Sequence, residues 1–259
     1  MIPRLKVTSY QMALMSIFAA LYYVLSLISP FIPSIGLPEL QIQLEALIAT
    51  VFGLILGPYL GAAAAFFGAV LAWILPPGSM NTLSVPFLLS PPINAFVVGL
   101  VFYRRWKWAF AVYSVLITVF LLLPPSQPLN EQYQVPLAVL WDKLIALLLL
   151  LPAIRFSRKL SEIRYQSILF FIVGFFGNQA DNMWGANIFA VPVVYESIFG
   201  LEIETVRFLF TVSPFIYPAI RILQATFATI IAVPIVRALQ NTEWIYSEPS
   251  ILMHEPADS

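Results

Sequence analysis

The sequence predicts an all-α, polytopic membrane protein: a bundle of about eight transmembrane helices with both termini in the cytoplasm. Three observations predict it. Apolar residues make up 60% of the 259 and charged residues only 10%, against roughly 25% charged in an ordinary soluble domain. No Asp, Glu, Lys or Arg occurs from Ala46 to Tyr103, and a soluble helix cannot stay uncharged so long, because one face must meet water. The cations cluster: Arg4 and Lys6, "RRWK" at 104–107, "RFSRKLSEIR" at 155–164, and Arg237 hold ten of the thirteen Lys and Arg.

The positive-inside rule puts those clusters in the cytoplasm, and an even number of crossings must separate any two of them. Four fit before "RRWK": about 9–29, 42–57, 59–75 and 86–103, the middle pair joined by a tight turn at "GPYL". Two more, about 108–123 and 136–154, flank the outer loop "PPSQPLNEQYQVP". The last two run over about 165–190 and 211–238. The segment 42–57 is short for a full crossing, so a tilted or partial helix is an alternative there. Met1–Lys6 and the following apolar stretch read as a retained first span, since Val7–Leu37 is too long for a signal core. Residues 1–240 thus form one transmembrane domain, and 241–259 form a polar, acidic cytoplasmic tail holding the single histidine, His254.

Prolines punctuate the spans. Pro30, Pro33 and Pro38 lie between the first two, and Pro91 and Pro92 inside the fourth are expected to break it and free backbone carbonyls. Gly57, Gly61, Ala65, Gly68 and Ala72 form a stripe of small residues on the third span, a pattern that lets helices approach closely in lipid. On the first span, Ser16 and Ala20 are four apart; packing within the bundle and packing against a partner protein both fit.

Reaction chemistry is hard to find. There is no glycine-rich phosphate loop, no GxSxG elbow and no histidine-based metal or acid–base set. The absence of cysteine excludes disulfides and thiolate metal sites. A net charge of zero argues against nucleic acid as a partner. Asp142 and Lys143 are adjacent, so on a helix they are expected to point about 100° apart rather than at one another, with snorkelling as the ordinary explanation of their charge. No enzyme activity, metal or cofactor is predicted.

Three further charges lie inside spans: Glu45, Asp181 and Arg221. Intramembrane ionisable residues cost several kcal/mol and mark pathways or sites. At about 1.5 Å per residue, Asp181 lies roughly 22–24 Å from the cytoplasmic end of its span, Arg221 roughly 14 Å and Glu45 roughly 5 Å below the outer ends of theirs. All three fall in the extracellular half. Asn178, Asp181, Asn182 and Gly185 follow i, i+3, i+4, i+7 spacing, and Tyr217, Arg221, Gln224 and Ala228 do the same. Two polar stripes at similar depth are expected to face each other. They read either as a buried pair that sets helix register or as an outward-facing pocket for a small polar or aromatic solute, with Trp73, Trp184 and Tyr217 as flat walls.

The order "ALMSIFAALYYVLSLISPFIPSIGLPELQIQLEALIATVFGLILGPYLGAAAAFFGAVLAWILPPG", together with "GLVFYRR" and the closing "PAIRILQATFATIIAVPIVRAL", resembles the substrate-binding S components of energy-coupling factor vitamin transporters. The resemblance implies capture of a vitamin-like solute from outside, with a transmembrane coupling protein and ATPases driving its release within. It also implies docking of the coupling protein at Ser16 and Ala20, where serine replaces the usual alanine. Such proteins commonly have six helices, and "KWAFAVYSVLITVFLLLPP" with "LAVLWDKLIALLLLLP" reads as an additional hairpin. The rival readings are a stand-alone proton-coupled transporter using Asp181 or Glu45, an intramembrane enzyme, and a structural or assembly subunit without transport activity. All place the chain in the cell membrane as a multi-pass protein.

Overall fold

A computed structural model describes residues 7–28, 45–76, 80, 82–160, 162–212 and 214–239, and beyond them 242, 245, 250 and 252. Arg4, Lys6, the loop residues Pro30, Pro33, Pro38 and Glu39, and His254 lie outside the described residues, as does the side chain of Glu45.

Each of the eight predicted segments carries a helix. Helix α1 spans Ser9–Ser26 and begins at a capping box: Gln11 N donates to Thr8 Oγ1 and Thr8 N to Gln11 Oε1, both at 3.2 Å. Helix α2, Glu45–Ile74, contains two of the predicted segments. Gly57 interrupts it with φ 74° and ψ −176°, a conformation open essentially only to glycine. The chain reverses there, because a Cβ on Gly61 would stand 2.7 Å from Phe52 O and 3.0 Å from Gly53 Cα. In a straight helix residues eight or nine apart would be separated by about 12–14 Å. The predicted turn is therefore real, and its first arm, 45–56, rises only about 18 Å. Beyond the turn, Gly68 brings α2 against the ring of Tyr22 on α1, so the small-residue stripe packs inside the bundle.

Two boundaries differ from expectation. Pro91 and Pro92 do not break a helix: a 3-10 segment, Thr82–Phe87, precedes α3, Ser90–Phe102, and both prolines sit in the first turn of α3. Their missing N–H groups are not required there. The last predicted span starts late, at Ile216 rather than near 211, because Pro214 lacks the N–H that a continuing helix needs.

The remaining elements are α4 (Trp106–Leu122), α5 (Gln134–Arg155), the short α6 (Ser157–Leu160), α7 (Gln166–Phe189), α8 (Ile203–Val212) and α9 (Ile216–Leu239). Among the described residues five stretches are long and apolar enough to cross a membrane, including most of α1, α2, α5 and α9. Helix α4 is shorter, and α7 is not among the five, since its polar residues lower its hydropathy. The chain is nonetheless an all-α membrane bundle, because α7 sits at its centre against α3, α4, α5 and α9. Buried aromatic pairs seal it there, Tyr113 stacking on Phe176 at 4.4 Å and Phe102 meeting Phe170 edge-on at 5.7 Å.

Candidate functional site

The polar stretch of α7 meets three helices at once. Arg221 Nη1 on α9 lies 3.4 Å from Asp181 Oδ2, so the two predicted stripes do face each other. The same nitrogen donates to Gln224 Oε1 at 2.9 Å, which holds the guanidinium on the inner face of α9. The Ser90 hydroxyl, at the start of α3, also donates to the Asp181 carboxylate. A second chain of bonds runs deeper: Thr50 Oγ1 donates to Asn94 Oδ1 at 3.1 Å, and Asn94 Nδ2 to Asn178 Oδ1 at 2.8 Å. Each bond is possible because small residues of α7, Gly174 beside Thr50 and Gly177 beside Asn94, let the helices approach.

Along their own helices these side chains lie at comparable depths. Asp181 lies about 12 Å below the predicted outer end of α7. Arg221 lies only about 8 Å below the start of α9, because that helix begins at Ile216 rather than near 211. Lys143 lies about 14 Å below the start of α5.

Asp142 and Lys143 depart from their expected arrangement. They form an ion pair, Lys143 Nζ to Asp142 Oδ1 at 2.9 Å, with both side chains buried. Adjacent residues do leave a helix about 100° apart, but the lysine stem is long enough to curl back. Burial leaves its ammonium no water to reach, so the neighbouring carboxylate is taken instead. Arg221 is near enough to repel Lys143, so two ion pairs from α5, α7 and α9 lie in the same region of the bundle.

Other predicted site residues are placed as follows. Trp184 is half-buried, and its indole Nε1 donates to Pro86 O at 3.3 Å, covering a carbonyl of the 3-10 segment. Tyr217 is half-buried and close enough to Arg221 to feel its charge. Asn182 and Trp73 are half-buried, and the bonds just traced include neither. Glu45 opens α2. On α1, Ser16 and Ala20 are exposed; the serine hydroxyl is turned back onto Met12 O at 3.1 Å.

Thr50, Ser90, Asn94 and Gln179 were not anticipated. Asn94 was findable as the lone amide of its span; attention to formal charge passed over it. Gln179 is wholly buried with neither amide atom hydrogen-bonded, and Asn178 Nδ2 and Arg221 Nε are buried without partners too. Such orphaned groups cost about 1–3 kcal/mol each; Asn178 and Arg221 lie on the face of the Asp181 pair, whereas Gln179 leaves α7 about 200° from Asp181. Among the described residues no three His, Cys, Asp or Glu side chains gather into a metal site. A groove of about 530 Å³ lies elsewhere, between α7 and α9 nearer their predicted cytoplasmic ends, lined by Phe171, Thr229 and Ile230 among others. It does not reach Asp181, which stands about 15 Å up the helix from Phe171.

Residues 6–123 match the family described as "ECF-type riboflavin transporter, S component". No curated protein and no solved structure matches the chain. The matched stretch covers α1 to α4, so α4 is part of the family pattern rather than an addition to it. Asp181, Arg221 and Lys143 lie beyond the match.

Proposed function

Residues 6–123 carry the S-component pattern of energy-coupling factor transporters, and on that premise we propose that this multi-pass membrane protein captures a vitamin-like solute from the extracellular side at the Asp181–Arg221 level. The observation that carries the reading is the pair of buried, unpartnered hydrogen-bonding atoms on that face, Asn178 Nδ2 and Arg221 Nε. A closed structural pair would leave its surroundings satisfied. Here one guanidinium nitrogen serves both Asp181 and Gln224 while another has no acceptor. Tyr217 and Trp184 supply flat apolar surface at the same level. The chain has no phosphate-binding loop, so partner ATPases supply the energy through a coupling protein that docks on the exposed Ser16 and Ala20 face of α1.

The family description makes riboflavin the first solute to test. Binding is read by quenching of flavin fluorescence on the purified protein. The deciding variant is the double change Asp181→Leu with Arg221→Met. Replacing both members of a structural pair with apolar residues is often neutral or stabilising, whereas a binding pair leaves the solute's polar groups unmatched. We expect a folded protein that no longer binds. Unchanged binding by the double variant would make the pair a register lock and reject this site.

A further inference from the structure

We propose that the groove between α7 and α9 is a binding site for one acyl chain of a phospholipid with an anionic headgroup, in the predicted cytoplasmic leaflet. The groove is formed by Ser167, Ile168 and Phe171 on α7 and by Thr226, Thr229 and Ile230 on α9. Its surface is almost wholly apolar because both threonine hydroxyls are turned onto their own helix, Thr226 Oγ1 donating to Ile222 O at 2.9 Å and Thr229 Oγ1 to Ala225 O at 2.7 Å. Exposed apolar surface in a bilayer meets lipid tails by default, and this groove is concave enough to hold one.

What selects the headgroup is the charge at the mouth. Ile230, Pro234 and Arg237 follow i, i+4, i+7 spacing on α9, so Arg237 stands on the groove's own face, about 5 Å beyond Pro234. Its Nε donates to Gln166 Oε1 at 2.7 Å and its Nη2 to Ile163 O at 2.8 Å. These two bonds hold the guanidinium across the end of the groove and engage two of its five N–H groups. The others suit the oxygens of a phosphate. Ser167, exposed at the same end, adds a hydroxyl; on the adjoining turn Arg164 is paired with Glu162 at 3.1 Å and Lys159 lies over the Tyr165 ring, so Arg237 is the cation that faces the groove. The lipid would brace the two helices that carry Asp181 and Arg221.

The test is native mass spectrometry of the full-length protein titrated with phosphatidylglycerol or phosphatidylcholine. We expect preferential retention of the anionic lipid. Arg237→Gln should reduce that preference by about fivefold, the worth of one interfacial cation, and Arg237→Lys should restore part of it. Ile230→Trp, which fills the groove while leaving the mouth intact, should reduce retention of both lipids. Equal retention of the two lipids by the unaltered protein, or an unchanged preference in Arg237→Gln, overturns the proposal. Retention of neither lipid does so as well, and leaves the groove to a helix of a partner protein.

Discussion

Asp142 and Lys143 show how burial decides the partner of a charge. The Nζ–Oδ1 distance of 2.9 Å and near-complete burial of both side chains make them a closed pair. The pair's attraction offsets a desolvation cost that neither group could bear alone. Lys143→Met should therefore strand the Asp142 carboxylate and destabilise the protein by about 3–5 kcal/mol, read as a lowered midpoint of unfolding in detergent. Asp142→Leu combined with Lys143→Met removes both charges and should recover most of that loss. A double variant no more stable than the single one would show that the pair is held by more than its own charges.

At the scale of the element, the reversal in α2 rests on one backbone conformation. Gly57 at φ 74°, ψ −176° has no allowed counterpart for a residue with a Cβ. Gly57→Ala should cost about 1–3 kcal/mol, measured by thermal unfolding, and a neutral result would mean the turn can relax into another geometry. Helix α1 presents the opposite case, a face that packs on nothing among the described residues. Ala20 is exposed, and the large neighbours Ile17, Leu21 and Val24 are exposed with it. Ala20→Trp should leave stability and solute binding by the isolated protein unchanged while abolishing uptake in cells. Loss of binding together with uptake would place that residue in internal packing instead.

For the whole molecule, sidedness is the property on which every functional reading depends. The chain has no cysteine, so single introduced cysteines report position without background. Asn130, in the predicted outer loop between α4 and α5, and Ile163, between α6 and α7, are both exposed. A membrane-impermeant thiol reagent added to intact cells should label Asn130→Cys and spare Ile163→Cys. The reverse pattern would invert the protein and place the Asp181 level in the cytoplasmic half. Helix α8 is tied to the loop between α4 and α5, on the predicted outer side: Arg207 donates through Nη2 to Gln127 O at 2.6 Å and through Nε to Pro125 O at 3.3 Å.

The membrane as solvent, the order of the spans and the tight turn at "GPYL" are legible along the chain, because they depend on local composition and on what each backbone position permits. Hydrophobic length and the distribution of cations are additive along the chain and can be read without knowing which helix touches which. The sequence also determined that the faces holding Asp181 and Arg221 would lie at similar depth, since helical rise and periodicity set both. Packing of the helices brings those faces together at 3.4 Å, completes the chain of bonds from Thr50 through Asn94 onto Asn178, and turns Lys143 back onto Asp142. Those outcomes depend on which helices are neighbours, and on whether water is excluded where they touch. A buried polar group takes the best partner within reach, and reach is a property of the packed bundle rather than of spacing along the chain.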